Sequence, residues 1–422
     1  MKKYFKRLNR KLKEIINLAA WVSGKTSMPA YLVGGFLRDL ILGVENFDLD
    51  IAVEGSGIIF AKMLARKIKA ELRTHERFGT ATLVIDGFLK IDIATTRSEK
   101  YPSCGLLPIV RSGSLRDDLL RRDFTVNAMA ACISRSDSQE LIDPFGGKKD
   151  LLKGKIRILH DLSFQDDPTR ILRAIRFEQR FNFTIEPKTL FFLKQAIEKG
   201  SLDKVSPQRI GDELILMLKE HCPFEQIKRL NNLCTLSFIS KKLTLTKSTY
   251  DLFKSIDKQI LWFKKSFPTY RKLDAWLIYF MALLAPVSLR EIKKVTSKFG
   301  LRKGETRRII SYFRLRHKLI PALSKKGILP SRIFKLLKPL SYETIILLKS
   351  TAQNKFVKEH INNFFEIYNG MRIYVSGNDL AGLGILPGPK YQKIFAKVLE
   401  AKLNGRIKSR RDELILIKGL IK

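Results

Sequence analysis

A chain of 422 residues, 45% hydrophobic and 10% aromatic, is too long for one compact core and predicts two to four folded units; no apolar run nears the ~20 residues that span a bilayer. Its 79 Lys and Arg against 41 Asp and Glu give a formal charge of +38, unevenly placed: 25 against 18 over residues 1–150, and 54 against 23 over 151–422. Such a surface repels itself unless it meets a polyanion (RNA, DNA or an anionic membrane), while four scattered cysteines without a CxxC pair argue against a disulfide framework or structural zinc and point to the cytoplasm.

In residues 1–25, Leu12, Ile15, Ile16 and Leu18 alternate with Lys and Glu at helical spacing, which predicts a basic amphipathic helix and not a cleaved leader. Residues 26–150 read as mixed α/β. Tyr31-Leu-Val enters Gly34-Gly35 and a helix, Phe47 to Val53 alternates as a strand, and Ala81 to Ile85 and Lys90 to Ala94 are β-rich, with Gly87 in the turn between them. A loop with Pro102, Gly105 and Pro108 fills Thr95 to Ser114. A helix starts near Ser114 or Leu115, and another near Thr125 precedes a Leu141-Ile-Asp-Pro-Phe-Gly-Gly turn. Beyond residue 150 strand signals fade. Ile171, Leu172 and Ile175 share an apolar helical face with Arg170 and Arg173 elsewhere, and 207–219, 277–298, 304–320 and 331–349 behave likewise, with seams at Pro268, Pro286, Pro330 and Ser376-Gly-Asn-Asp. The class expected is α+β, a small antiparallel or mixed sheet followed by helices alone.

Strand alternation in Phe47-Asp48-Leu49-Asp50-Ile51 sets both carboxylates on one face. That crowding is unfavourable unless a cation sits between them, and Mg²⁺ bound through one or two carboxylates plus substrate phosphates resolves it. A lone DxD is weak evidence; the segment upstream adds to it. Gly34 and Gly35 let backbone N–H groups approach phosphate at a helix N-terminus, and Arg38 adds a bidentate donor. Asp92, between Ile91 and Ile93 on a nearby strand, is the candidate third carboxylate.

Val33-Gly-Gly-Phe-Leu-Arg-Asp followed by Asp48-Leu-Asp resembles the first motif of the class II tRNA nucleotidyltransferase and bacterial poly(A) polymerase family. Asp118-Leu-Leu-Arg-Arg-Asp-Phe-Thr-Val-Asn-Ala resembles its RRDFTxNA motif, and Asp166-Asp-Pro-Thr-Arg-Ile-Leu-Arg-Ala-Ile-Arg-Phe its (E/D)DPxRxLRAxRF motif. The matches keep family order over residues 31–177. Ser376-Gly-Asn-Asp-Leu-Ala-Gly resembles a turn-helix segment near the end of bacterial members.

The resemblance implies a polymerase-β-like palm over 26–150, a helical neck with a nucleotide-selecting motif over 151–220, a body over 221–370 and a tRNA-binding tail over 371–422. It implies addition of C and/or A to a tRNA 3′ end from CTP and ATP with two Mg²⁺ ions, Asp48 and Asp50 serving as ligands. Arg121 and Arg122 suit phosphate, and Asp123 and Asn127, four apart on one expected helical face, suit ribose hydroxyls. Asp167 and Arg170 emerge from the same side of a helix start, the carboxylate held by its neighbour, with Arg173 in the same motif. Carboxylate plus guanidinium satisfies the amino donor and ring-nitrogen acceptor of cytosine and of adenine; uracil and guanine set a carbonyl against the carboxylate. In the family the 95–114 loop helps the site pass from C to A addition, and Arg97, Glu99 and Tyr101 look more like A-adding or complete CCA-adding members.

Two rival readings share these residues: a poly(A) polymerase of the same family, and a non-catalytic RNA-binding protein. The second leaves the paired carboxylates unexplained. His75, His160, His221, His317 and His360 form no HD-type motif, so no phosphohydrolase activity is expected.

Overall fold

The computed structural model describes residues 2–45, 48–86, 89–133, 140–234 and 236–421, so Phe47 and Gly87 lie outside the described residues. The chain divides into two compact units, residues 1–235 and 236–422.

In the first unit α1 (Lys2–Phe5) and α2 (Arg10–Thr26) precede β1 (Ala30–Val33), α3 (Gly34–Leu42), β2 (Asp48–Val53), α4 (Gly57–Ile68), β3 (Glu71–His75), β4 (Thr80–Ile85) and β5 (Leu89–Thr95). A hairpin of β6 (Arg97–Lys100) and β7 (Ile109–Ser112) leads to α5 (Leu115–Leu120), β8 (Ala130–Cys132) and β9 (Leu141–Ile142). Seven strands form one mixed sheet in the order β3-β4-β5-β2-β1-β8-β9, and only β2 and β5 run parallel. On β2, Leu49, Ile51 and Val53 are buried on one face. Ala52, on the other face, joins a core cluster with Val33, Leu115 and Leu119, so α5 covers the far end of the face that carries Asp48 and Asp50. The two carboxylates sit where that cover stops.

The helical part of the unit holds α6 (Gly147–Leu152), β10 (Lys155–Ile156), α7 (Ser163–Asp166), α8 (Thr169–Phe181), β11 (Thr184–Ile185), α9 (Pro187–Glu198), α10 (Pro207–Lys219) and α11 (Pro223–Leu233). Helix α8 is two-sided. Ile171, Leu172, Ala174 and Ile175 are wholly buried, while Arg170, Arg173, Arg176 and Arg180 recur at helical spacing toward a cavity.

Four expectations need correction. The segment near Thr125 is a three-residue 3-10 turn, Thr125–Asn127, because the chain turns at once into β8. The 95–114 loop contains the β6–β7 hairpin, paired from Arg97↔Ser112 to Lys100↔Ile109. A parallel β10–β11 pair interrupts the helices expected after residue 150. In the second unit 331–349 is two helices, broken where Pro339 cannot continue a helical hydrogen-bond ladder, while 277–298 breaks at the expected Pro286 seam.

The second unit comprises α12 (Lys247–Ser266), α13 (Ala275–Leu283), α14 (Leu289–Lys298), α15 (Lys303–Leu323), α16 (Pro330–Leu337), α17 (Tyr342–Thr351), α18 (Lys355–Asn363), α19 (Gly377–Gly382), α20 (Pro389–Leu403) and α21 (Arg410–Ile421). Trp276–Leu283 of α13 is buried all round, packed by α12, α15 and α17. A separate cluster of Val375, Leu380, Ile385, Ile394, Val398 and Ile417 closes the C-terminal end. Among the described residues no helix is long and apolar enough to cross a membrane.

Candidate active site

Parallel pairing of β2 with β5 sets Asp48 opposite Lys90 and Asp50 opposite Asp92. Burial raises the Asp50 carboxyl to about 6, with the neighbouring Asp92 and Asp48 charges adding to the rise and Arg122 and Lys90 opposing it. Asp92 is drawn aside, accepting a 2.7 Å hydrogen bond from Thr82 Oγ1 and pairing with Lys90. Among the described residues no three His, Cys, Asp or Glu side chains converge closely enough to hold a metal ion. Asp48 and Asp50 are hard oxygen donors whose crowding a divalent ion would relieve, with Asp92 beside Asp50 on the neighbouring strand.

Gly34 stands over this pair with φ +67°, and a Cβ there would lie 2.9 Å from Arg122 Nη1 and 3.1 Å from Asp50 Oδ2. Only glycine allows both the left-handed turn and the approach of carboxylate and guanidinium. Ser114 and Asp117 form a capping box at the start of α5, whose last turn delivers Asp118, Arg121 and Arg122. Asp118 is buried; burial would raise its carboxyl, but Arg122 and Arg121 hold it below the usual range through bonds of 2.7–3.0 Å. Arg122 Nε is buried without a partner among the described residues.

Arg38, Asp123 and Asn127 are spoken for. Arg38 Nε and Nη2 meet Asp39 Oδ1 at 2.8 and 2.7 Å, its Nη1 donates to Asn127 Oδ1 at 2.7 Å, and its plane lies 4.6 Å from the Phe181 ring centroid. Asn127 Nδ2 donates to Asp123 Oδ1 at 2.8 Å, and Arg173 donates twice to Asp123 Oδ2 at 3.0 and 2.6 Å. Burial would raise the Asp123 carboxyl, but Arg173 and Asn127 outweigh it and bring it to about 2. Asp123 and Asn127 do meet, though across a turn and not on one helical face. Their polar atoms fix Arg38 and Arg173 in place.

Asp167 and Arg170 both line the same cavity but are not paired to each other. Arg209, from α10, donates Nη2 to both Asp167 oxygens at 2.8 Å, and Thr169 N and Oγ1 donate to Asp167 Oδ1 at 3.1 and 2.7 Å. Arg170 instead donates to Ser163 Oγ at 2.6 Å and to the Arg121 carbonyl at 2.8 Å, and faces the Tyr101 ring at 6.0 Å. The helical spacing does put the two on one side; the tertiary structure supplies each with a stronger partner. Arg209 Nη1 also reaches the Gly105 carbonyl at 3.4 Å.

These groups enclose one cavity of about 650 Å³ lined by eight arginines and six carboxylates. Of the residues singled out above, Gly34, Gly35, Arg38, Asp50, Arg121, Arg122, Asp123, Asn127, Asp167, Arg170 and Arg173 line it, and Asp48 and Asp92 do not. Arg176, Arg180, Arg209 and Glu213 also line it and were not anticipated. The first two were legible as a continuation of the α8 arginine stripe. Arg209 carries no local signal, since its meaning comes from Asp167, 42 positions away.

A palm-like mixed sheet with a glycine turn, two strand carboxylates and an arginine-lined cavity closed by helices defines a polymerase-β-type nucleotidyltransferase head joined to helical modules. The Poly A polymerase head domain model matches residues 30–157. The A-adding tRNA nucleotidyltransferase of Geobacter sulfurreducens is 36% identical over 93% of this chain and 45% of its own length, and that of Aquifex aeolicus 33% identical over 92% and 45%. The chain thus spans about half the length of the curated relatives it matches. A CCA-adding enzyme solved in an apo form superposes with a TM-score of 0.76 at 34% identity, covering 98% of this chain and 97% of that one. The Thermotoga maritima CCA-adding enzyme complexed with tRNA gives 0.71 at 32%, over 99% and 98%. The chain belongs to the class II tRNA nucleotidyltransferase family.

Proposed function

We propose that this chain extends the 3′ end of tRNA with C and/or A taken from CTP and ATP, releasing pyrophosphate. The observation that carries the reading is the cavity that Gly34, Asp50, Arg122, Asp167 and Arg170 all line. Such a space has a place for a triphosphate at one end and a base edge at the other. Magnesium held by Asp48 and Asp50 would lower the pKa of the primer hydroxyl and offset triphosphate charge.

The chain's own residues do the rest. Arg122 donates to phosphate oxygens beside the Gly34 turn, and the stripe from Arg170 to Arg180 keeps the cavity positive. Asp167 accepts from the exocyclic amino group of cytosine or adenine, and Arg170, with N–H groups left beyond Ser163 and Arg121, donates to the adjoining ring nitrogen. An enzyme acting on tRNA would work in the cytoplasm. The A-adding names of the two broad relatives favour the terminal A as the narrower activity.

Extension of tRNAs ending before the CCA, after C and after CC, each with CTP or ATP, tests both levels. Addition of A to the CC-ended tRNA alone identifies an A-adding enzyme, and growth on all three a complete CCA-adding one. Efficient extension of an oligo(A) primer with no extension of tRNA would replace the reading by poly(A) synthesis.

A further inference from the structure

We infer that Phe177 and Phe181 are positioning residues whose ring faces hold the guanidiniums of Arg38, Arg176 and Arg180 ready for the triphosphate of the incoming nucleotide; the inference rests on the reading above that a nucleoside triphosphate occupies the cavity. Counted from Arg170, the two phenylalanines stand at i+7 and i+11. At about 100° per residue they fall on the arginine stripe of α8 and not on the side that Ile171, Leu172 and Ile175 bury. Phe177 is buried and lines the cavity. The two rings stack with centroids 5.9 Å apart and planes 27° from parallel, and Phe124 meets Phe177 at 5.9 Å with planes at 85°.

Guanidiniums surround this stack. The central carbons of Arg176, Arg38 and Arg173 lie 4.8, 5.4 and 5.4 Å from the Phe177 centroid, and those of Arg38 and Arg180 lie 4.6 and 5.2 Å from the Phe181 centroid. All fall within the ~6 Å at which a ring quadrupole attracts a cation. Two rings thus meet four of the eight arginines that line the cavity. Carboxylates account for Arg173, which donates to Asp123 at 2.6 and 3.0 Å and to Glu213 at 3.1 Å. The ion pairs of Arg176 and Arg180 are longer: 3.3 Å to Glu213 and 3.5 Å to Glu220 for the first, 3.8 Å to Glu220 for the second. The rings set the direction of these two.

A carboxylate that orients a guanidinium also cancels its charge and occupies its N–H edge. A phenyl ring attracts the same cation through its face, which leaves the charge and the edge donors for another anion. The difference matters here because Arg38 is buried and Arg180 lies near enough to repel it. Arg38 also braces the end of the cavity at the glycine turn: a Cβ on Gly35 would lie 3.5 Å from its Nη2, so the guanidinium rests against the turn itself. Rings, guanidinium and turn form one continuous series from α8 to the start of α3. Like charges held together in this way, with weak carboxylate partners at Arg176 and Arg180, suit the compact polyvalent charge of a triphosphate.

The test replaces Phe177 in the full-length chain by monofluoro-, difluoro- and trifluorophenylalanine, which keep the ring's shape while draining its face of negative potential step by step. Measured are Kd for ATP and for inorganic tripolyphosphate, kcat and KM for ATP and for a CC-ended tRNA, and Tm. Kd for ATP and for tripolyphosphate is expected to rise with each fluorine, by about three- to tenfold at the trifluoro ring. KM for ATP should follow it while kcat changes less and KM for tRNA stays unchanged. Should the substituted chain fail to fold, Phe181→Leu is expected to weaken ATP binding by a similar factor, and Phe181→Tyr, which keeps the ring face at a half-buried position, to bind as the wild type does. ATP affinity that ignores the fluorine count while Tm falls would return the rings to packing and overturn the proposal. A loss confined to tRNA binding would assign them to the RNA and overturn it equally. A chain that shows this fluorine dependence in ATP binding but extends no tRNA would overturn the functional reading and leave the inference standing.

Discussion

If nucleotide choice turns on Asp167, as proposed above, its geometry makes Arg209 a second determinant. A carboxylate gripped on both oxygens by one guanidinium nitrogen presents its remaining lone pairs in a fixed direction. Asp167→Ala should therefore narrow the preference for CTP or ATP over UTP or GTP, each mismatched hydrogen bond carrying ~1–3 kcal/mol. Arg209→Gln should do so in the same direction, with Arg209→Lys partly restoring it. Values of kcat/KM for all four nucleotides decide this; an unchanged ratio in both variants would leave Asp167 as the cap of α8 and nothing more. Asp50→Ala is a separate matter of rate. Loss of this carboxylate should lower extension by at least about a thousandfold while tRNA binding stays within about twofold of wild type, because several kcal/mol of transition-state charge stabilisation depend on it. Activity within tenfold of wild type in that variant would remove Asp50 from the chemistry.

Buried ion pairs join elements within each unit. The Asn127–Asp123–Arg173–Glu213 chain joins the turn after α5 to α8 and α10 within the first unit. In the second unit Glu343, wholly buried at the start of α17, binds Arg271 and the backbone N–H of Asp274. Burial would raise its carboxyl, but those donors outweigh it and hold it at about 2, below the ordinary 4.5. A depressed folded-state pKa contributes stability that is present above pH 4.5 and is lost as pH falls toward 2. Glu343→Gln should cost about 2–4 kcal/mol at pH 7, since it leaves Arg271 without its carboxylate, and markedly less at pH 3. Thermal unfolding at the two pH values checks it; an equal loss at both would mean that shape, not charge, is what Glu343 provides. The same scale shows how far pattern reading reaches. The strand into Gly34, the cap at Ser114 and the apolar stripe of α8 were readable because each depends on neighbours within one turn or one pleat. The hairpin at 97–112 was hidden because its prolines and glycine speak for a loop and its pairing forms only across the turn.

For the whole molecule, charge decides more than shape. With 39 of the 79 basic residues but only 12 of the 41 acidic ones in residues 236–422, tRNA affinity should fall by orders of magnitude between about 50 and 200 mM salt, whereas ATP affinity should change far less. Filter binding of tRNA and ATP over that range measures both. A flat tRNA curve would make the charge incidental.

The sequence by itself determined the class of this chain and singled out the candidates for its reactive groups. Both depend on short-range order: two glycines after a strand, two carboxylates one pleat apart, an arginine-bearing helix. It also carried the expectation of a polyanionic partner, since net charge is additive and needs no fold. What only the tertiary structure decided is who holds whom. Asp167 takes Arg209 and not Arg170, Asp92 turns to Thr82 and Lys90, and Arg38 and Asp123 become struts. Partner choice in a crowded field of arginines and carboxylates depends on distances of an ångström or less between groups 40 to 90 residues apart, and no local pattern encodes those distances.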